Sequence, residues 1–232
     1  MDRDDWSPVV KNLLSQMGFN DLLNPANTFY AEPKNTGDIR YLRLQSGTYG
    51  DGEIAESLAE NISRMAGDIE NSHLLHEGLT EAMINSKKWA YTDTTEEDHK
   101  RWWVTGSYNT QTGTAMIMIY DHGVGIPETL PKSGLTEHYK NLLEKKWGIV
   151  DPDDAYWIKA AMTVGRTASG LKNRGKGLND IQQFVLASRR GLLRVLSGKG
   201  EYTIDQDGNE QAQPHLTPLN GTLIAWQVDT KE

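Results

Sequence analysis

The sequence predicts an α+β fold, a two-layer α/β sandwich with helices packed on one face of a mixed, mostly antiparallel sheet. Three observations carry this expectation. Two apolar strips, Trp102 to Tyr108 and Thr114 to Tyr120, flank the polar turn Asn109-Thr-Gln-Thr-Gly113, the pattern of a hairpin. Before them, Ile54, Leu58, Ile62 and Met65 recur at helical spacing along Asp51 to Met65, and a longer helix covers about Ile69 to Ala90. After them, a helix over about Lys176 to Arg189 leads into strands at Leu192 to Ser197, Glu201 to Asp205 and Thr222 to Val228. Helices and antiparallel hairpins mixed in this way bury their apolar faces best as two layers.

The elements follow in order. Val9, Val10, Leu13, Leu14 and Met17 lie at helical spacing over residues 5–17, with Pro8 near the start, where a helix tolerates it. This helix either caps the sheet or packs on the helix at 51–65, or it provides a dimer contact. Residues 25–50 are rich in Gly, Pro and Asn and hold a strand-like stretch at Ile39 to Leu44. Residues 1–45 therefore read as an N-terminal extension and 46–232 as one domain. Gly67 or Asp68 breaks the chain between the two following helices. Trp102 and Trp103 alternate across a strand, so one faces the core and the other solvent or a neighbour. Residues 122–175 are punctuated by Gly and Pro, with short helical patterns near 136–146 and 153–163. The stretch 206–220 reads as a connection before the last strand.

Composition limits the function classes. The chain has 232 residues, 37% hydrophobic and 24% charged, with no segment approaching the roughly 20 apolar residues that span a bilayer. The start Met1-Asp-Arg-Asp-Asp5 has no basic and apolar run of a signal peptide, so a cytoplasmic address is the default expectation. There are no cysteines, which excludes disulfides, thiolate metal sites and thiol nucleophiles. A net charge of −8 repels a phosphate backbone at long range, so nucleic acid is not the expected partner. A small anion held by a few local donors is still compatible.

Four segments carry chemistry. Glu77, Glu81, Asn85 and Lys88 fall near one helical face, which reads either as a solvated charged stripe or as a site. Asn85 favours a site, because Asn is a poor mid-helix residue unless its amide has a task. Asp121-His-Gly-Val-Gly-Ile-Pro127 follows an apolar strand directly, either as an ordinary turn or as an acceptor with glycines that let a flat ligand approach. Gly170-Leu-Lys-Asn-Arg-Gly-Lys-Gly-Leu178 runs into a helix, so its free N–H groups form an anion site, with Arg174 and Lys176 adding charge. Gly170, Gly175 and Lys176 have P-loop spacing, but Gly177 stands where a P-loop needs Ser or Thr, and no buried strand precedes it. The fourth segment, Asn220-Gly-Thr222, means little alone.

Taken in this order, the four segments resemble the boxes of the GHKL superfamily of ATPases (gyrase, Hsp90, histidine kinase and MutL), whose domain has the Bergerat fold. The N box Glu-x-x-x-Asn corresponds to Glu81-Ala-Met-Ile-Asn85, and the first glycine box to Asp121 through Gly125, followed by Ile126. The second corresponds to Gly175-Lys-Gly177-Leu178 and the third to Gly221-Thr222. The resemblance covers about residues 50–230. It implies ATP and magnesium as cofactors, with Asp121 accepting the adenine amino group and Thr222 supporting the pocket beside it. Asn85 would hold the magnesium ion, and Glu81 would act as general base. Gly123 and Gly125 would let the base lie against the chain, with Ile126 beside them. Gly175, Gly177 and the helix opening at Leu178 would cradle the phosphates. The run Asn85-Ser-Lys-Lys-Trp89 is similar to the Asn-Ala-x-Lys-Tyr run of histidine kinases, which implies Lys88 near a phosphate and Trp89 beside the base or ribose. Residues 128–173 would form a lid.

The kind of ATP user is less constrained. No His lies before residue 69, and His73 and His76 sit on the N-box helix itself, so autophosphorylation on histidine is not expected. Relatives that complete their site with a Lys or Arg from a following domain find no counterpart within this sequence, so slow hydrolysis is the expectation. Two alternatives stay open. One is a serine protein kinase of the anti-sigma-factor type, which carries a Glu-Ala-x-x-Asn box and phosphorylates a partner. The other is a nucleotide-gated interaction module, with a protein partner or a second copy.

Overall fold

The computed structural model describes residues 7–19, 37–48, 52–67, 69–91, 96, 99–132, 136–167 and 176–230, with backbone alone at 165–167 and 176–177. Helix α1 (Pro8–Gln16) starts at Ser7, whose hydroxyl accepts the Val10 N–H at 3.3 Å and so caps one free donor. Strand β1 (Ile39–Gly47) follows, then helices α2 (Gly52–Ala66) and α3 (Ser72–Asn85). Asn71, in the left-handed region at φ 59°, turns the chain between those two helices. A π-helical turn, Ser86–Ala90, extends α3. Strands β2 (Trp102–Asn109) and β3 (Thr114–Asp121) form the expected hairpin. Then come the short α4 (Ile126–Thr129), α5 (Thr136–Trp147), α6 (Asp154–Thr167) and α7 (Lys176–Leu186). The long strands β4 (Gly191–Asp205) and β5 (Glu210–Asp229) close the fold.

The sheet order is β1-β2-β3-β5-β4, and every pairing among these strands is antiparallel. The protein is therefore the expected α+β sandwich, without the parallel component that a mixed sheet would have. The two-residue period of the strands sorts their faces. Trp102, Val104, Ala115, Ile117, Ile119, Leu193, Val195, Ile224, Trp226 and Val228 are buried in one core with Leu58, Ile62, Leu75, Leu79, Met83, Ile158, Met162, Ile181 and Phe184 from the helices. Trp102 is the core member of the tryptophan pair, and Trp103 stacks on Tyr120 across the other face at 5.9 Å.

Three boundaries differ from the sequence reading. The division at residue 45 cuts through β1, which pairs with β2 from Ile39 to Gly47 and belongs to the sheet. Within the region read as a lid, 128–173, the two expected helical patterns are α5 and α6, and α6 is packed into the body of the protein. Ile158 and Met162 of α6 lie in the main core, and Tyr139, Leu143, Trp157, Ala160 and Val164 make a second cluster between α5 and α6. The segments read as two strands at 192–205 are one strand, and β5 begins twelve residues before the Thr222 expected. Gly and Pro suggested breaks there, but they sit at irregularities of a continuing ladder: Gly198 pairs with Leu219 and Gly200 with Pro214, so residues 215–218 bulge outward.

Candidate functional site

The site is built where β3 ends. Asp121 is the last residue of β3 and pairs with Thr222 of β5, which puts both on the buried face. The Gly123 N–H donates to Asp121 Oδ1 at 3.0 Å, and the nearby Thr222 N–H also favours the ionised carboxylate. Burial nevertheless pushes the Asp121 carboxyl up to about 6, with these two donors and His122 opposing the rise. A carboxylate can accept about four hydrogen bonds, so the Gly123 N–H leaves Asp121 further acceptor capacity.

Three glycines here are required by chain packing. A Cβ at Gly123 would overlap the carbonyl of Ala90, and one at Gly125 (φ 87°) would come within 2.7 Å of Ser197 Oγ. A Cβ at Gly221 (φ 95°) would overlap the Asp121 carbonyl. At both Gly123 and Gly125 the position that a Cβ would take is filled by protein atoms, a reason for glycine separate from the expected approach of a ligand. Gly221→Ala combines a left-handed backbone with a backbone collision, so it is expected to lower stability by about 3 kcal/mol in urea unfolding. An unchanged midpoint would contradict the close packing of Gly221 on Asp121.

The N-box helix reaches this corner through its π-helical turn. The Val124 N–H donates to the Ala90 carbonyl at 2.7 Å, which ties the end of that turn to the glycine loop. Tyr91, the next residue, accepts N–H bonds from Arg101 at 3.1 Å and His122 at 3.3 Å, and donates to the Arg101 carbonyl. A π turn places its residues off the face that α-helical spacing assigns, and Trp89 is 47% exposed as a result of this path. Lys88 is exposed, although its charge is felt at Glu81.

Glu81 and Asn85 lie one turn apart on α3. Burial raises the Glu81 pKa, the Asp180 charge on α7 adds to the rise, and Lys88 and the Asn85 amide oppose it. Asn85 Nδ2 is buried, with no hydrogen-bond partner among the described residues. Helix α7 packs closely on α3 at Gly78, where a Cβ would lie 3.4 Å from the Asp180 carbonyl and from Trp226. The Trp226 indole N–H donates to the Ile181 carbonyl at 2.7 Å, which fixes α7 on the sheet. Lys176 opens α7, and Gly177 and Leu178 follow in its first turn; Leu178 packs against the core, as does Ile126. Arg174 and Gly175 lie outside the described residues, and the side chain of Lys176 is likewise not described.

The structure therefore brings Asn85's helix end, Asp121, Gly123, Gly125, Ile126 and Thr222 to one corner of the sheet, with Glu81 facing α7. Sequence reading missed two members. Tyr91 fastens the glycine loop, and Ser197, fully buried on β4, bonds to Ile126, Gly221 and Thr222. Neither had a signal, since each is an ordinary strand or loop residue whose partners are distant in sequence. Among the described residues no group of three or more His, Asp or Glu side chains gathers as a metal site, and no helix is long and apolar enough to cross a membrane. Compared with models of known protein families and with curated proteins, the sequence matches none.

Proposed function

We propose that this chain binds ATP with magnesium and hydrolyses it slowly, as a cytoplasmic protein of the GHKL type. The observation that supports this most is Asp121: a buried carboxylate that accepts the Gly123 N–H at 3.0 Å, stands beside Thr222 on the β3–β5 ladder and is raised by burial. Such a group suits an exocyclic amine, which can donate to it without bringing a charge into the pocket. Thr222 stands opposite it across the β3–β5 ladder. Asn85 would hold magnesium through its side-chain oxygen, together with the phosphate oxygens that enter with it. That ion would neutralise charge on the phosphates. Gly177 and the N-terminus of α7 would face the phosphates, and Glu81, made more basic by burial and by Asp180, would take the proton of the attacking water.

The test is release of labelled phosphate from ATP by the isolated chain. A rate well below the typical enzyme value of about 10 per second fits a site that reaches full activity only with a partner. A rate at or above it would contradict slow hydrolysis. Transfer of the label to a protein partner instead of water would move the assignment to the kinase alternative.

One surface favours a protein partner. Val9, Val10 and Leu13 of α1 are 76%, 41% and 38% exposed, although α1 is held to β1 by the Leu44 N–H donating to the Met17 carbonyl at 2.8 Å. The helix is anchored, yet its apolar side is uncovered, which fits a contact with a second copy better than a cap on the sheet. Deleting residues 1–20 is expected to reduce the mass in solution from dimer to monomer. An unchanged mass would leave α1 without this role.

A further inference from the structure

Ser197 is the point where the two glycine loops of the site are joined. Its hydroxyl lies on β4, fully buried, seventy-one residues after Ile126 and twenty-four before Gly221. It accepts the Ile126 N–H at 2.9 Å and donates to the Gly221 carbonyl at 2.9 Å, with Thr222 Oγ1 at 3.1 Å. Gly125, whose Cα faces this hydroxyl, and Gly221, which packs on Asp121, leave no room for either loop to shift without moving the other. One hydroxyl therefore satisfies a donor from the loop that carries Asp121 and an acceptor from the loop that carries Thr222. Loss of the hydroxyl would remove the bond that each of these backbone groups makes to it. The arrangement does more than hold a strand pair, since the β3–β5 ladder already pairs Asp121 with Thr222. What the hydroxyl adds is the position of Gly125 and Ile126, beyond the end of that ladder.

We propose that Ser197 is a positioning residue of the base-binding end of the pocket, setting the Gly125–Ile126 loop against Gly221–Thr222 so that Asp121 selects adenine. The assignment rests on the nucleotide-binding reading above. The next residues of β4 extend the same contact outward. The Lys199 N–H donates to Asp154 Oδ2 at 2.7 Å, and Gly198 and Gly200 lie so close to Asp154 and Ala155 that side chains there would collide. The start of α6 is thereby held to the strand that carries Ser197, and the loop it positions rests on a fixed frame.

The experiment compares ATP and GTP binding, with magnesium, by the native chain, Ser197→Ala and Val195→Ala. Val195 is fully buried on the same strand, so its truncation lowers stability without touching the glycine loops. Ser197→Ala is expected to weaken ATP binding about 10-fold while leaving GTP binding unchanged, which reduces the preference for adenine by the same factor. Val195→Ala is expected to keep the native preference. An unchanged ATP-to-GTP ratio in Ser197→Ala, or an equal fall in Val195→Ala, would overturn the assignment. Hydrogen exchange on the native chain provides a measurement independent of any variant. ATP is expected to protect the Ile126 amide and the 221–223 amides together, and protection of one segment without the other would count against the link. Failure of the native chain to bind ATP at all would instead overturn the nucleotide-binding reading itself, so the two failures are distinguishable.

Discussion

Glu81→Gln is expected to slow ATP hydrolysis by a factor of about 10² to 10⁴, the usual contribution of a positioned general base. Affinity for magnesium–ATP should remain close to native, because the proposed role of Glu81 is exercised only on the attacking water. The pH profile offers a second readout. A base works in its ionised form, and burial together with Asp180 holds the Glu81 carboxyl above its ordinary value of 4.5. The acid limb of the native rate profile should therefore lie above the ordinary value for a glutamate, and Glu81→Gln should abolish that limb. Glu81→Gln hydrolysing at the native rate would remove Glu81 from the chemistry and leave the helix face as a solvated stripe.

Asp121→Asn should have the second-largest effect. Losing a charge-assisted acceptor is expected to weaken ATP binding by about 10- to 100-fold. Protonation has a similar consequence in the native chain, so ATP affinity should fall as the pH drops through about 6. Stability moves the opposite way. The folded-state value of about 6 lies above the ordinary 3.8, so ionisation opposes folding. The penalty is absent below about pH 4, grows between about pH 4 and 6, and is complete above that, at about 3 kcal/mol. The stability of Asp121→Asn relative to the native chain should accordingly rise across that window in urea unfolding. A difference that stays constant with pH would show that Asp121 is not held neutral by burial.

Much of this site was legible because it depends on local pattern. The apolar strip Thr114 to Tyr120 marks a strand, and the two-residue period of a strand puts Asp121 on the same buried face as Ile117 and Ile119. The helix carrying Glu81 and Asn85 was equally plain from its period. Other features depend on contacts between distant segments and have no local signal. The π turn at Ser86–Ala90 is fixed by the bond from Val124, thirty-four residues away, and α-helical spacing could not foresee where it puts Trp89. The role of Gly123 depends on Ala90, and that of Gly125 on Ser197, neither of which is adjacent in sequence. Gly and Pro residues in β4 and β5 read as breaks because propensity is a local measure, whereas the ladder accommodates them as a bulge. The helix Asp154–Thr167 falls in the stretch that the family resemblance assigns to a lid. Its own apolar face, with Ile158 and Met162, goes to the core.

The central claim is that Asp121 receives an adenine nucleotide, and titration calorimetry with magnesium–ATP tests it most directly on the native chain, Asp121→Asn and Glu81→Gln. The account expects the native chain to bind one nucleotide, Asp121→Asn to lose most of that affinity, and Glu81→Gln to keep it. No binding of any adenine nucleotide by the native chain, or equal binding by Asp121→Asn, would contradict it.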